Sequence, residues 1–129
     1  MQQAIFLAAP TDVYRAKVVS AKWVGESRVV AAPSALSDPG AGSMRTVAVV
    51  IETRATAADP SVRAALKLAV AAGVPIIGID ASTIADEMGR LEHPGEPLPE
   101  TDRHYKWSLD NGSLEITEWI DYELSHSNG

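Results

Sequence analysis

Four short runs, almost wholly apolar, dominate the first eighty positions of the chain, and turn-forming or polar residues follow each of them. They occupy residues 4–9, 28–32, 46–51 and 74–79. Continuous apolar runs of this length, rich in β-branched residues, are typical of strands that are buried on both faces of a parallel sheet. The pattern therefore predicts four such strands.

Helix signals separate these runs. Thr11 predicts the cap of a helix that extends to about Trp23. Asp59, which precedes a proline, predicts a second helix start, and residues 61–72 carry an apolar stripe at helical spacing. A third, short helix is predicted over residues 82–90. Strands that alternate with helices predict right-handed βαβ units and hence a parallel sheet.

The C-terminal third has a different pattern. Residues 91–104 contain three prolines and no periodicity, which predicts a loop. Asp110-Asn111-Gly112 separates two short alternating runs at 105–109 and 113–116, which predicts a tight β-hairpin with positive φ at Gly112. Residues 118–124 could dock as a final helix.

These elements together predict one α/β domain over residues 1–129, with a doubly wound, flavodoxin-like short parallel sheet. The parallel core would span residues 4–90, and residues 105–129 would supply the hairpin and a terminal helix. Short crossovers and two strongly buried strands, at 5–9 and 47–51, predict the strand order 2-1-3-4 with those two strands as neighbours.

Composition excludes several classes of chemistry. The 129-residue chain has no cysteine, so disulfides, thiolate zinc sites and thiol nucleophiles are excluded. Its formal net charge is −6 and its basic residues are scattered, which argues against nucleic-acid binding. No apolar stretch has the length of a membrane span, and the first residues lack the positive charge of a signal peptide. A cytoplasmic location is therefore expected.

Histidine and glycine patterns add little. His93, His104 and His126 have no metal-ligand spacing, so we expect surface residues and no metal site. No glycine-rich dinucleotide fingerprint follows the first strand, and no cofactor is expected.

In an open parallel sheet, a ligand binds beyond the carboxyl ends of the strands, where the strand order reverses. The expected contacts are the polar and turn residues at those ends, although such residues also serve as ordinary helix caps and turns. Helix N-termini expected there would suit an anion. The candidate ligand-binding residues are Pro10, Thr11, Asp12, Ser34, Glu52, Thr53, Arg54, Asp80 and Ser82.

Two segments resemble known families. Ile-Phe-Leu-Ala-Ala-Pro at residues 5–10 resembles the opening strand of nucleoside 2-deoxyribosyltransferase-like proteins. Residues 46–80 resemble both that family and small bacterial TIR-like domains, with a buried strand, a capped helix of small residues and then Gly-x-Pro-Ile-Ile-Gly-Ile. The resemblance implies the same fold and a crevice shaped for a nucleotide. It also implies cleavage of N-glycosidic bonds by a glutamate on the helix after the third strand.

In this chain the position of that glutamate falls at Ala65, and residues 61–72 contain no acid. A methyl group cannot stabilise an oxocarbenium-like centre. The leading hypothesis is therefore a non-catalytic module that binds a nucleotide-derived small molecule or a protein partner through the crevice and the loop at 33–45. One alternative is an N-glycosidic-bond hydrolase or transferase that uses Glu52. Another is a structural protein that self-associates through its sheet edge or through Trp107 and Trp119.

Overall fold

The computed structural model describes residues 2–23, 27–30, 45–91, 97–107 and 112–126. The strands are β1 (Gln2–Leu7), β2 (Ser27–Val30), β3 (Arg45–Ile51), β4 (Ile76–Asp80) and β5 (Arg103–Lys106). The helices are α1 (Val13–Ser20), α2 (Arg54–Ala58), α3 (Pro60–Ala71) and α4 (Gly112–His126), and a 3₁₀ turn at Pro10–Asp12 precedes α1. Residues 33–44, which form most of the predicted loop at 33–45, lie outside the described residues.

All described strands are parallel and form one sheet in the order β2-β1-β3-β4-β5. The α/β class is thus confirmed. β1 and β3, which the sequence predicts as neighbours, pair from Gln2 opposite Arg45 to Leu7 opposite Val50. The reversal of strand order lies between these two strands, so their carboxyl ends meet at the edge where a ligand is expected.

Alternate residues of each central strand point to opposite faces of the sheet. Both of these faces are covered by other segments of the chain. One face packs against α1 and α4, with Phe6, Val49, Ile77, Trp23, Ile120 and Leu124 among its buried residues. The other face packs against α3 and the segment before β5, with Ile5, Val50, Leu66, Ala69 and Leu98 among its buried residues. This arrangement explains the continuous apolar runs of the sequence, since strands covered on both sides have no solvent-facing positions.

The predicted C-terminal hairpin is wrong. Residues 103–106 form a fifth parallel strand beside β4, and Gly112 begins α4. The alternation at 113–116 covers only four residues, whereas spacing compatible with a helix continues to buried Ile120 and Leu124. The hydroxyl of Thr117 donates to the Lys22 carbonyl at 3.1 Å, so α4 is held against the end of α1.

Two further local predictions are wrong. Thr11 does not cap α1, because it lies within the 3₁₀ turn and Asp12 is the residue that precedes the helix. Residues 82–90 form turns instead of a helix. By contrast, Asp59 caps α3 as predicted, since its side chain accepts a hydrogen bond from Val62 N at 3.0 Å. The short helix α2 was not predicted.

Ala65 lies on the inner side of α3, where it is 1% exposed within the apolar cluster that includes Val50, Leu66 and Ala69. Neighbouring Ala64 is exposed on the same helix. The position at which the resemblance implies a catalytic glutamate is thus closed by apolar packing.

We expect Ala65→Glu to lower the free energy of unfolding by about 3 kcal/mol or more, because the new carboxylate would be buried without a partner. Urea denaturation measures this change. Ala64→Glu is the matched control and should change stability by less than about 0.5 kcal/mol. An Ala65→Glu protein as stable as the Ala64→Glu protein would show that the cluster has room for the longer side chain.

Candidate functional site at the carboxyl edge of the sheet

A buried ion pair lies at the carboxyl end of β1. Nη1 of Arg15 lies 2.5 Å from Oδ1 of Asp12, and both side chains are almost completely shielded from solvent. The other carboxylate oxygen of Asp12 accepts hydrogen bonds from the hydroxyls of Thr53 and Thr56, the latter at 3.0 Å. These four residues are called the Asp12 cluster below. A buried carboxylate is tolerated only with such compensation.

Both threonine hydroxyls donate and accept hydrogen bonds within the chain. Thr53 accepts a hydrogen bond from Thr56 N at 3.2 Å and thereby caps α2. Thr56 accepts one from Ala9 N at 3.0 Å. Because each hydroxyl has one proton, and both protons go to Asp12, neither threonine has a donor left for a ligand.

Arg15 extends the Asp12 cluster to the segment that follows β4. Its Nε donates to the Ile84 carbonyl and its Nη2 donates to the Arg90 carbonyl, both at 2.7 Å. The fork of the guanidinium therefore joins one carboxylate and two backbone carbonyls. As a result, the segments after β1, β3 and β4 are held together by one cluster at the point where a ligand would enter a doubly wound fold.

The predicted ligand-binding residues fall into three groups. Asp12, Glu52 and Thr53 are buried and bonded within the protein. Pro10, Thr11 and Arg54 are exposed, and Asp80 and Ser82 are half-buried. Asp80 Oδ1 accepts a hydrogen bond from Ser82 N at 3.0 Å, which is a local turn contact. Ser34 lies outside the described residues.

The anion site expected from helix N-termini has little support here. No helix begins after Asp80 within residues 81–91. At α2 and α3, the side chains of Thr53 and Asp59 already accept hydrogen bonds from the first-turn N–H groups of Thr56 and Val62. Capping by the chain itself competes with an external anion for these donors.

Glu52 lies on the face of the sheet opposite α1, and its carboxylate makes contacts that are separate from the Asp12 cluster. Its Oε2 accepts a hydrogen bond from Leu98 N at 3.0 Å and lies 2.9 Å from Nδ1 of His104. Its carboxylate lies against Gly78, at a position that a Cβ atom on residue 78 would overlap. Gly78 therefore leaves the space in which the buried carboxylate sits.

His104 is a partner that sequence reasoning missed. It was expected to be an ordinary surface residue, but its register opposite Gly78 in β5 brings it to Glu52. The sequence analysis does not reveal that register, because it assigns residues 103 and 104 to a loop and residues 105 and 106 to a hairpin. The only available signal was the glycine in β4, which indicates a close approach by another group.

The neighbouring hydroxyl does not complete a catalytic triad. Thr101 Oγ1 lies 2.7 Å from Nε2 and 3.1 Å from Nδ1 of His104. One oxygen at similar distances from both ring nitrogens cannot lie along the in-plane direction of either, so it is poorly placed for proton transfer. The hydroxyl also donates to the Leu98 carbonyl at 2.7 Å.

Neither a protein-family model nor a curated protein matches the chain. Within the ranges that the structure describes, no three acidic or histidine side chains come together as a metal site. The helices in those ranges include none that is both long and apolar enough to cross a membrane.

We expect Arg15→Met to lower the free energy of unfolding by about 3–5 kcal/mol, because it leaves the buried carboxylate of Asp12 without its countercharge. Chemical denaturation measures the loss. Lys17→Met is the control, since Lys17 is exposed on the same helix, and it should cost less than about 0.5 kcal/mol. Equal stability of the two variants would mean that the Asp12–Arg15 pair contributes nothing to folding.

We expect Gly78→Ala to cost about 1–3 kcal/mol, because its Cβ would displace the Glu52 carboxylate from Leu98 N and His104. The same substitution in a Glu52→Ala background should cost much less, since the overlapping group is gone. Thermal or urea unfolding of all four proteins completes the cycle. An equal loss of stability in both backgrounds would show that the effect of Gly78→Ala does not come from overlap with the Glu52 carboxylate.

Proposed function

We propose that this protein is a cytoplasmic, non-catalytic interaction module, and that it binds a protein partner in preference to a nucleotide-derived small molecule. The observation that supports this most directly is the Asp12 cluster. The polar groups that a doubly wound fold commonly offers to a ligand are here bonded to one another, which leaves Thr11 and Arg54 as exposed side chains beside the cluster.

The environment of Ala65 also supports a non-catalytic role. The resemblance to deoxyribosyltransferase-like and TIR-like proteins implies a glutamate at this position, but Ala65 is buried among apolar side chains. Reaction at an N-glycosidic bond needs a carboxylate that can reach the ribose. Nothing in this apolar cluster supplies one.

The enzymatic alternative would depend on Glu52. Its contacts with Leu98 N and His104 hold the carboxylate beneath the segment before β5, where it is 3% exposed. A catalytic carboxylate must reach substrate, and Glu52 would first have to break both contacts. This geometry favours a structural role for Glu52.

The self-association alternative would depend on Trp107 and Trp119. Trp107 is buried, and Trp119 stacks on Tyr105 with ring centroids 4.0 Å apart. Both rings are therefore largely used within the fold. The outer edges of β2 and β5 remain, but each is only four residues long, and β5 carries Arg103, His104 and Lys106, as edges that resist pairing commonly do.

The test is incubation of the purified protein with NAD and with deoxynucleosides, followed by chromatography for released base. We expect no release above the protein-free control, from either the native protein or Glu52→Gln. Release by the native protein that Glu52→Gln abolishes would refute the non-catalytic role and establish the Glu52 enzyme instead.

A ¹⁵N–¹H NMR titration with AMP and with deoxyadenosine tests whether the protein binds a nucleotide-derived small molecule. We expect no saturable shifts at Thr11, Arg54, Asp80 or Ser82, because the neighbouring polar groups already have partners within the protein. Saturable shifts confined to those residues would favour the small-molecule ligand over the protein partner.

A further inference from the structure

Residues 84–91, called the Met88 loop, form an irregular segment with an unusually well-fixed backbone. Ile84 is buried in the core and anchors one end. The Arg15 guanidinium holds the carbonyls of Ile84 and Arg90, each at 2.7 Å, so both ends of the loop are tied to α1. Arg15 is itself buried and paired with Asp12, which makes this anchor rigid.

Asp86 organises the loop from within. Its Oδ1 accepts hydrogen bonds from Met88 N at 2.9 Å and from Arg90 N at 2.8 Å. The backbone adds bonds from Asp86 N to the Arg90 carbonyl at 2.8 Å and from Gly89 N to the Asp86 carbonyl at 2.9 Å. Gly89 has φ 78°, a conformation that favours glycine at this turn.

The charge state of Asp86 fits this role. The Arg90 N–H bond lowers the pKa of the Asp86 carboxyl below its usual value, the partial loss of solvent opposes the shift, and Met88 N–H and the charges of Arg90 and Arg15 reinforce it. The ionised form that accepts both N–H bonds is therefore the form present near neutral pH.

This fixed loop exposes two large apolar side chains. Met88 is 73% exposed and Leu91 is 69% exposed, the highest values among the large hydrophobic residues that the structure describes. Exposed apolar groups on a mobile loop are common, but a backbone held by this many bonds loses little conformational entropy when a partner binds. Met is also well suited to irregular protein surfaces.

The charge around the loop selects the partner. The loop itself contains two acids, Asp86 and Glu87, and one base, Arg90, and the whole chain has a formal net charge of −6. Nε of Arg90 lies 3.4 Å from Oδ2 of Asp86, so the one positive charge of the loop is already close to one of its acids. Two copies of this acidic chain would repel each other, whereas a basic partner would be attracted.

We propose that the Met88 loop is a preformed docking element for a protein segment whose apolar side chains are flanked by Lys or Arg. The inference rests on the proposed interaction function and gives it a location and a partner chemistry. Met88 and Leu91 supply the apolar contact, exposed Glu87 and the negative charge of the chain supply attraction, and Arg15 and Asp86 hold the loop in its binding conformation.

The probe is a short fluorescent amphipathic peptide of Leu and Lys, with a Leu and Glu peptide of the same pattern as its counterpart. Fluorescence anisotropy should show saturable binding of the Leu/Lys peptide only. The Met88→Ser/Leu91→Ser protein should bind about tenfold more weakly, although its charge is unchanged. Leu68→Ser/Val70→Ser on α3, which alters the other exposed apolar pair, should bind like the native protein.

A second pair of variants tests the fixed backbone. Asp86→Ala and Glu87→Ala each remove one negative charge, but only Asp86 holds the loop. Asp86→Ala should therefore weaken binding more than Glu87→Ala does, with circular dichroism and melting curves showing that both proteins remain folded. Equal losses would refute preorganisation by Asp86.

Three results would overturn the docking proposal. They are no saturable binding of the Leu/Lys peptide up to about 1 mM, equal loss of binding in the two apolar pairs, and a concentration-dependent dimer that Leu91→Ser abolishes. The last result would assign the loop to a second copy of the chain. None of them involves base release, so failure here is distinguishable from failure of the non-catalytic role.

Discussion

The buried Asp12–Arg15 pair is the interaction on which the carboxyl edge of this protein depends. Burying two charges is costly, and the attraction between them offsets that cost only when the remaining hydrogen-bonding groups are also satisfied. Here Thr53 and Thr56 satisfy the carboxylate, and the carbonyls of Ile84 and Arg90 satisfy the guanidinium. A close-packed apolar cluster could supply similar stability, but it could not fix three segments of backbone in one relative position through directional bonds.

The need to satisfy both buried charges explains the local sequence of the segments that follow β1, β3 and β4. A small hydroxyl residue is needed at position 56, because its oxygen accepts from Ala9 N while its proton goes to Asp12. The 3₁₀ turn places Asp12 one helical turn before Arg15, so the two side chains meet at the start of α1. The segment after β4 needs no helix of its own, because Arg15 and Asp86 bind its backbone groups instead.

The sequence was most informative where burial imposes a strong pattern. The runs at β1 and β3 and the Asp59 cap of α3 identified the parallel class and the neighbouring central strands, since these signals are local and repeated. The hairpin prediction failed because a local turn signal does not reveal the long-range contacts of the flanking segments: residues 103–106 pair with β4, and the helix that begins at Gly112 packs through Ile120 and Leu124, while residues 108–111 lie outside the described residues. The predicted strand order brings the segments after β1, β3 and β4 to one edge, where they do meet, but the sequence analysis missed Arg15 as the side chain that joins them. A cation three residues after an acid has the same sequence pattern whether the pair is exposed or buried.

Because the Asp12 cluster uses the polar groups at the strand ends, the proposed recognition falls outside the cluster, on the segments around it. In an open doubly wound fold, unpaired polar groups at the strand ends are the source of ligand affinity. Once those groups bind one another, a small molecule would have to replace a satisfied, desolvated network, and the exchange offers it little gain. The network can still contribute to recognition indirectly, because Arg15 fixes the backbone of the Met88 loop, and that loop carries exposed apolar side chains. Recognition would then use the rigidity that the buried charges provide and leave the charges themselves undisturbed.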